Sequence, residues 1–278
     1  MAWHPHIDVW LLVLGLEGGY LWALRRIGPR HVPAGTPPAT RGQVTAFSLG
    51  VLTILVAADW PIHELAERRL YSVHMVQHLL LSLAAPPLLL LGTPGWLARA
   101  ILRPPALLRL VRRLSRPIVA LILFNLVIAL SHWPVLVEAS VRSELFHLGA
   151  HVAVFGTALL MWMPVLSPVL EIPRLPYPGQ MMYLFAQSIL PTIPASFLTF
   201  GDTPMYAVYV TFPRIFGISA LTDQMVAGLF MKIVGGLLLW TVIAILFFKW
   251  HEQETRDGTD ALQWRDVDRD LNRVETPR

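Results

Sequence analysis

The stretch Asp59–Pro94, DWPIHELAERRLYSVHMVQHLLLSLAAPPLLLLGTP, joins a polar segment to an apolar run of membrane-spanning length. The apolar part, Tyr71–Leu91, is about long enough to cross a bilayer as one helix. His74 and His78 lie in its first two turns and share one helix face, because they are four residues apart. An imidazole in hydrocarbon is unfavourable without a partner, so this pair predicts a functional site inside the membrane.

The composition is that of an integral membrane protein. Of the 278 residues, 55% are hydrophobic and 14% charged, and the mean hydropathy is +0.55. The chain has no cysteine, which excludes disulfides and metal sites built on thiolates. The net charge of +4 comes with arginines in short loops between apolar runs, a distribution typical of membrane topology. We therefore expect a lipid bilayer as the surrounding partner and no nucleic-acid binding.

Seven apolar runs predict an all-α, polytopic fold with seven transmembrane helices. The spans are predicted at Ile7–Leu24, Val44–Ala58, Tyr71–Leu91, Pro117–Val137, Leu145–Met163, Gln180–Phe200 and Asp223–Phe248. Residues 1–250 are predicted to form one transmembrane domain. The segment 251–278 mixes acids and bases without an apolar core and is predicted to be a charged tail.

Lysine and arginine are distributed unequally between the two sides of these spans. Seventeen of them fall on one side and four on the other. Because positively charged loops stay in the cytoplasm, this difference predicts an outside N-terminus and a cytoplasmic C-terminus.

In this topology, histidines from three spans lie at one depth below the outer surface. They are His74, His78, His132, His147 and His151. Cysteine-free imidazole sites suit copper, zinc or haem iron, so we predict a metal site, with copper as the candidate. The alternative for any single histidine is a hydrogen bond across helices. Thioethers would favour Cu(I), but Met75, Met205 and Met225 are interpreted as packing residues.

Three further residues near the outer span ends are candidate accessory ligands. Asp59 and His63 precede the histidine pair, and Asp223 begins the last predicted span. A carboxylate at such a position is equally suited to cap a helix end. His4 and His6 also lie on the outer side and could capture metal, with fraying of the terminus as the alternative.

Two charges lie within predicted spans. Glu17 is about ten residues into span one from outside, and Lys232 is about nine residues into span seven. Each charge is costly in mid-membrane unless it is paired. Their matched depth predicts an ion pair between neighbouring spans one and seven.

Five motifs resemble the CtaG family of cytochrome c oxidase assembly factors, which are multi-span bacterial membrane proteins. They are HMVQHLLL at 74–81, APPLLLLGTP at 85–94, HWP at 132–134, MWMPVL at 161–166 and DQMVAGLFM at 223–231. The cysteine-bearing, single-span copper chaperone that shares the family's name is excluded, since this chain has no cysteine. Two positions depart from the family pattern. Ala150 stands where the family often has Glu, and Lys232 stands where it often has Trp.

The resemblance implies a factor in the bacterial plasma (inner) membrane that assists maturation of the copper site of a haem–copper oxidase. Cytochrome c oxidase subunits are its implied partners. No phosphate loop, nucleophile triad or paired catalytic carboxylates are found in the sequence, so we do not expect an enzyme.

Two alternatives stay open. A b-type haem electron carrier would use histidines on neighbouring helices as axial ligands, and would favour sites in both leaflets. A copper or proton transporter would place polar groups through the depth of the bundle.

Overall fold

The structure, a computed structural model, describes the backbone of residues 6–274 and the side chains of residues 6–256, 267 and 269. All regular structure in that part of the chain is helical, which confirms the all-α prediction. The α-helices are α1 (Ile7–Arg26), α2 (Arg41–Ala58), α3 (Ile62–Arg68), α4 (Tyr71–Leu79), α5 (Ala85–Gly92), α6 (Gly95–Ile101), α7 (Pro105–Leu114), α8 (Pro117–Ser131), α9 (Pro134–Arg142), α10 (Glu144–Leu166), α11 (Tyr177–Ile189), α12 (Thr192–Phe200), α13 (Ala207–Thr211), α14 (Ala220–Leu229) and α15 (Gly235–Val274).

Among the described residues, six helical segments are long and apolar enough to cross a membrane, and seven if the bent pair α7–α8 forms one span. The polytopic prediction is therefore confirmed. The fourth predicted span ends earlier than expected, because α8 stops at Ser131 and α9 begins at Pro134. A proline at the first position of α9 starts a new helix. His132 lies in this break.

Helix α15 continues beyond the last span into the predicted tail. Its backbone is helical as far as Val274, and residues 275–278 lie outside the described part of the chain. The division at residue 250 and the predicted orientation of the termini remain predictions.

The span that carries the histidine pair is interrupted by a wider turn. Residues Leu80–Ala84 form a π-helical turn between α4 and α5. Pro86 and Pro87 follow at the start of α5, and since proline has no N–H to donate, carbonyls one turn earlier lose their usual partners. Trp162 of α10 meets one of the carbonyls in this turn, because its Nε1 donates to the Ser82 carbonyl at 3.0 Å.

This interrupted span lies among several other spans. Helix α4 contacts α3 and α14, whereas α5 contacts α2 and α10. Tyr71 and Met75 of α4 are each 1% exposed, and Gln77 is fully buried. A helix enclosed in this way can hold polar side chains inside the bundle, away from lipid.

The predicted ion pair between Glu17 and Lys232 is wrong. Ser48 Oγ donates to Glu17 Oε1 at 2.7 Å, which ties α1 to α2. Lys232 Nζ instead lies 5.1 Å from the centroid of the Phe200 ring. Matched depth fixes how far a residue lies along the bundle, but not which neighbouring helix its side chain faces.

Helices α12 and α14 approach each other closely at Gly228. A Cβ atom there would lie 2.7 Å from the Ala195 carbonyl oxygen and 2.9 Å from the Thr199 backbone nitrogen. We expect Gly228→Ala to separate the two helices and to lower stability by about 1–3 kcal/mol, as overpacking does. The measurement is the thermal unfolding midpoint of the purified protein in detergent.

The matched control is Gly236→Ala, because nothing lies within 4 Å of a Cβ atom at that position. Equal unfolding midpoints for the two variants would contradict the close approach of α12 and α14.

Candidate metal centre

Histidines from α4, α10 and the break between α8 and α9 meet at one end of the bundle, which we call the histidine end. Ser143 is the N-cap of α10, and its side chain accepts a hydrogen bond from the Phe146 backbone nitrogen. This start places His147 and His151 in the first turns of α10, beside the first turns of α4. The ring centroids of His74 and His147 lie 5.9 Å apart, and those of His74 and His151 lie 5.8 Å apart.

The deepest set of ligand atoms is the three-histidine group of His74, His78 and His151. One ring nitrogen from each residue lies within 4.8 Å of the other two. Nδ1 of His74, Nδ1 of His78 and Nε2 of His151 are buried and lack a hydrogen-bond partner within the described part of the chain. A buried polar atom without a partner costs free energy, which a bound cation would remove. The three residues therefore fit a metal ion.

A second set, the glutamate group, consists of His63, Glu67 and His147. Glu67 Oε1 lies 3.1 Å from His63 Nε2 and 3.0 Å from His147 Nε2. These three residues also offer ligand atoms within 4.8 Å of one another. The ring centroids of His147 and His151 are 4.2 Å apart, so the two groups adjoin along α10.

His132 is part of the same cluster but is held differently. Its ring lies 5.7 Å from the ring of His78, centroid to centroid. Its Nδ1 is 2.7 Å from the Ile128 carbonyl oxygen, and its Nε2 is 3.2 Å from the Met75 sulfur. His132 therefore borders the three-histidine group without belonging to it. The structure thus brings the five predicted histidines together, and their binding of metal remains a prediction.

Asp223 holds the first turn of α4. Its carboxylate accepts hydrogen bonds from the backbone nitrogens of Tyr71 at 2.7 Å and Ser72 at 3.0 Å, and from Ser72 Oγ at 2.6 Å. The two backbone nitrogens are donors that a helix start leaves unpaired. Asp223 is thus a cap on a different helix from its own, and it belongs to neither ligand group.

Asp59 faces α1 rather than the histidines. Its carboxylate accepts hydrogen bonds from Trp10 Nε1 at 3.0 Å and from the His6 backbone nitrogen at 3.5 Å. The His6 ring lies 4.5 Å from the ring of His63, so this part of the chain covers the glutamate group. His4 lies outside the described residues.

Glu67 and Gln77 are site residues whose roles the sequence analysis missed. The signal for Glu67 was its spacing of four residues from His63 on a short polar helix. Gln77 Nε2 donates to the Ala57 carbonyl at 2.9 Å and lies 3.2 Å from His63 Nδ1. A glutamine between two histidines in an apolar run was the signal for Gln77, since buried polar side chains need partners.

Two tyrosines cover the histidine end. Tyr206 donates its hydroxyl to the His132 carbonyl at 2.9 Å, and Tyr209 donates to the Ala66 carbonyl at 3.1 Å. Burial raises the pKa of Tyr206 to about 12 and raises the pKa of Tyr209 further. Both phenols therefore stay protonated at neutral pH and keep these donated bonds.

The fold and the site define a multi-span helical membrane protein with two adjoining groups of side chains that could hold a metal ion at one end of its bundle. The chain belongs to the cytochrome c oxidase caa3 assembly factor family (Caa3_CtaG), whose family model matches residues 18–253. This match confirms the resemblance seen in the motifs. It also identifies the chain as a multi-pass protein of the bacterial plasma membrane.

Two curated relatives are similar to most of this chain. They are uncharacterized proteins of Mycobacterium bovis (strain ATCC BAA-935 / AF2122/97) and Mycobacterium tuberculosis (strain CDC 1551 / Oshkosh). Each is 31% identical over an alignment of 268 positions, and the alignment covers 88% of this chain and 38% of the relative. The chain therefore spans well under half the length of these relatives. No solved structure matches the chain at a significant level.

Proposed function

We propose that this protein serves oxidase assembly by holding copper in the three-histidine group and passing it towards the copper site of a cytochrome c oxidase. The observation that carries the proposal is a group of three histidines that each offer one ring nitrogen within 4.8 Å of the other two. Each of the three also has a buried ring nitrogen without a hydrogen-bond partner within the described part of the chain. Copper accepts imidazole ligands in both of its common oxidation states. A neutral imidazole carries no charge when the metal is absent, which suits a site at membrane depth.

In this proposal the glutamate group is where the ion first binds. The side chains of His63 and Glu67 are 17% and 24% exposed, whereas His147 beside them is 8% exposed. A carboxylate attracts a cation, and the two imidazoles supply nitrogen donors next to it. His147 and His151 then connect this group to the three-histidine group along one face of α10.

The ion is cargo rather than a resident cofactor, so the proposed role requires no catalysis by this chain. The proposed partners are the oxidase subunits that receive copper. The family supports a role in oxidase assembly, and the histidine geometry supports copper as the cargo.

The test uses cells that lack the gene and express either the wild-type protein or the His78→Ala/His151→Ala variant, grown with limiting copper. We expect the variant to leave the oxidase with at least a roughly tenfold lower copper content and activity, because two of three nitrogen donors are lost. The matched control is His31→Ala, since His31 is exposed and stacks on Trp96 away from the cluster. Oxidase with wild-type copper content and activity in the double variant would overturn the proposal.

A further inference from the structure

The contacts of the His132 ring define which of its two nitrogens carries the proton. Nδ1 lies 2.7 Å from the Ile128 carbonyl oxygen and 3.1 Å from Ser131 Oγ, and Ser131 Oγ itself donates to the same carbonyl at 2.8 Å. A carbonyl oxygen can only accept, so in the neutral ring the proton is on Nδ1. Nε2 is therefore the nitrogen that carries a lone pair.

That lone pair faces another atom that has no proton to give. The Met75 sulfur lies 3.2 Å from His132 Nε2, and a thioether is only an acceptor. The two residues are 1% and 6% exposed, so bulk water does not separate them. Protonation of Nε2 would bury a charge, and none of the polar contacts described for this ring is with a carboxylate.

The pair lies on the wall of a small cavity between spans, of about 50 Å³. The same cavity is lined by two more methionines and by the histidine shared with the three-histidine group, namely Met161, Met231 and His78. Thioether and imidazole donors around one space are soft ligands, and soft ligands select monovalent copper.

We infer that Met75 and His132 form a second metal site, softer than the three-histidine group, that binds Cu(I). The inference rests on the proposed function only for the identity of the metal as copper. The two neighbouring lone pairs carry it independently, because a cation bound by both atoms would replace a repulsive contact with two coordinate bonds.

His78 borders both sites. Its ring is 4.5 Å from the ring of His74 in the first site and 5.7 Å from the ring of His132 in the second. An ion leaving the three-histidine group can therefore reach the second site without crossing lipid. The ligands become progressively softer from one group to the next. The glutamate group offers carboxylate and imidazole, the three-histidine group offers imidazole alone, and the second site offers imidazole and thioether.

The experiment is an anaerobic titration of the purified full chain in detergent with Cu(I), using a competing chelator, together with X-ray absorption at the copper edge. We expect the wild-type protein to bind two Cu(I) ions and to show a copper–sulfur shell. Met75→Leu should bind one Cu(I) ion and lose that shell, since leucine keeps the volume of methionine but not its sulfur. The matched control, Met163→Leu, changes a buried methionine in a separate cluster and should still bind two.

Two Cu(I) ions with an unchanged sulfur shell in Met75→Leu would overturn the second site. The lack of a sulfur shell in the wild-type protein would also overturn it, and this result does not depend on whether a variant folds. Binding of Cu(II) in air reports on the three-histidine group and the glutamate group but not on the second site, because Cu(II) disfavours thioethers. A protein that binds Cu(II) but shows no sulfur-ligated Cu(I) would keep the proposed function and refute this inference.

Discussion

We expect purified protein with the changes His78→Ala and His151→Ala to bind added Cu(II) much more weakly than the wild-type protein. The three-histidine group has three nitrogen donors, and the double change leaves only His74, which cannot hold an ion alone. We expect the affinity for Cu(II) to fall by at least roughly a hundredfold, which corresponds to about 2.7 kcal/mol. The measurement is a titration in air against a competing chelator, with the copper content determined by elemental analysis.

The variant should remain inserted and helical, which circular dichroism will check. His31→Ala is the control and should bind Cu(II) as the wild-type protein does. Undiminished Cu(II) affinity in the double variant would refute the site. A Soret absorbance band in the wild-type protein as purified would instead support the haem alternative.

Replacement of Asp223 by alanine will have the largest effect on stability among the changes considered. The carboxylate satisfies the backbone nitrogens of Tyr71 and Ser72 and the hydroxyl of Ser72, all buried. Each buried donor left unpaired costs roughly 1–3 kcal/mol, so we expect a marked fall in the unfolding midpoint and in the amount of protein in membranes.

Asp202→Ala is the control, because Asp202 is exposed and begins no helix. The measurements are thermal unfolding in detergent and protein level in isolated membranes. If Asp223→Ala keeps wild-type stability but loses copper, Asp223 acts as a ligand rather than as the cap on α4.

The helical, multi-span fold was predictable because hydrocarbon imposes one simple rule on the sequence. Apolar runs of sufficient length must be helices, and the i, i+4 spacing then fixes which histidines share a face. The bend of 78° between α7 and α8 was not predictable in this way. Arginines and prolines there mark an end of a span, but not the angle at which the chain re-enters.

The contacts between distant segments could not be predicted from the sequence. The sequence left both a helix cap and a ligand open for Asp223, and it caps α4, whose first residues lie more than 150 positions away. Glu67 of α3 and His147 of α10 lie 3.0 Å apart through their side chains, although 80 positions separate them in the chain. The failure of the Glu17 and Lys232 pair has the same cause, since one sequence gives depth but not the neighbours of each helix.

The π-helical turn at Leu80–Ala84 changes the direction in which side chains point on the two sides of it. One extra residue in a helix rotates everything beyond it by about 100°, because a regular helix turns once in 3.6 residues. The helices in contact with the span also differ on the two sides of the turn, since α4 contacts α3 and α14 and α5 contacts α2 and α10. The imidazoles of α4 meet those of α10. Removing one residue from this turn would make the span a continuous α-helix and rotate the imidazoles away from α10. Every ligand residue would still be present.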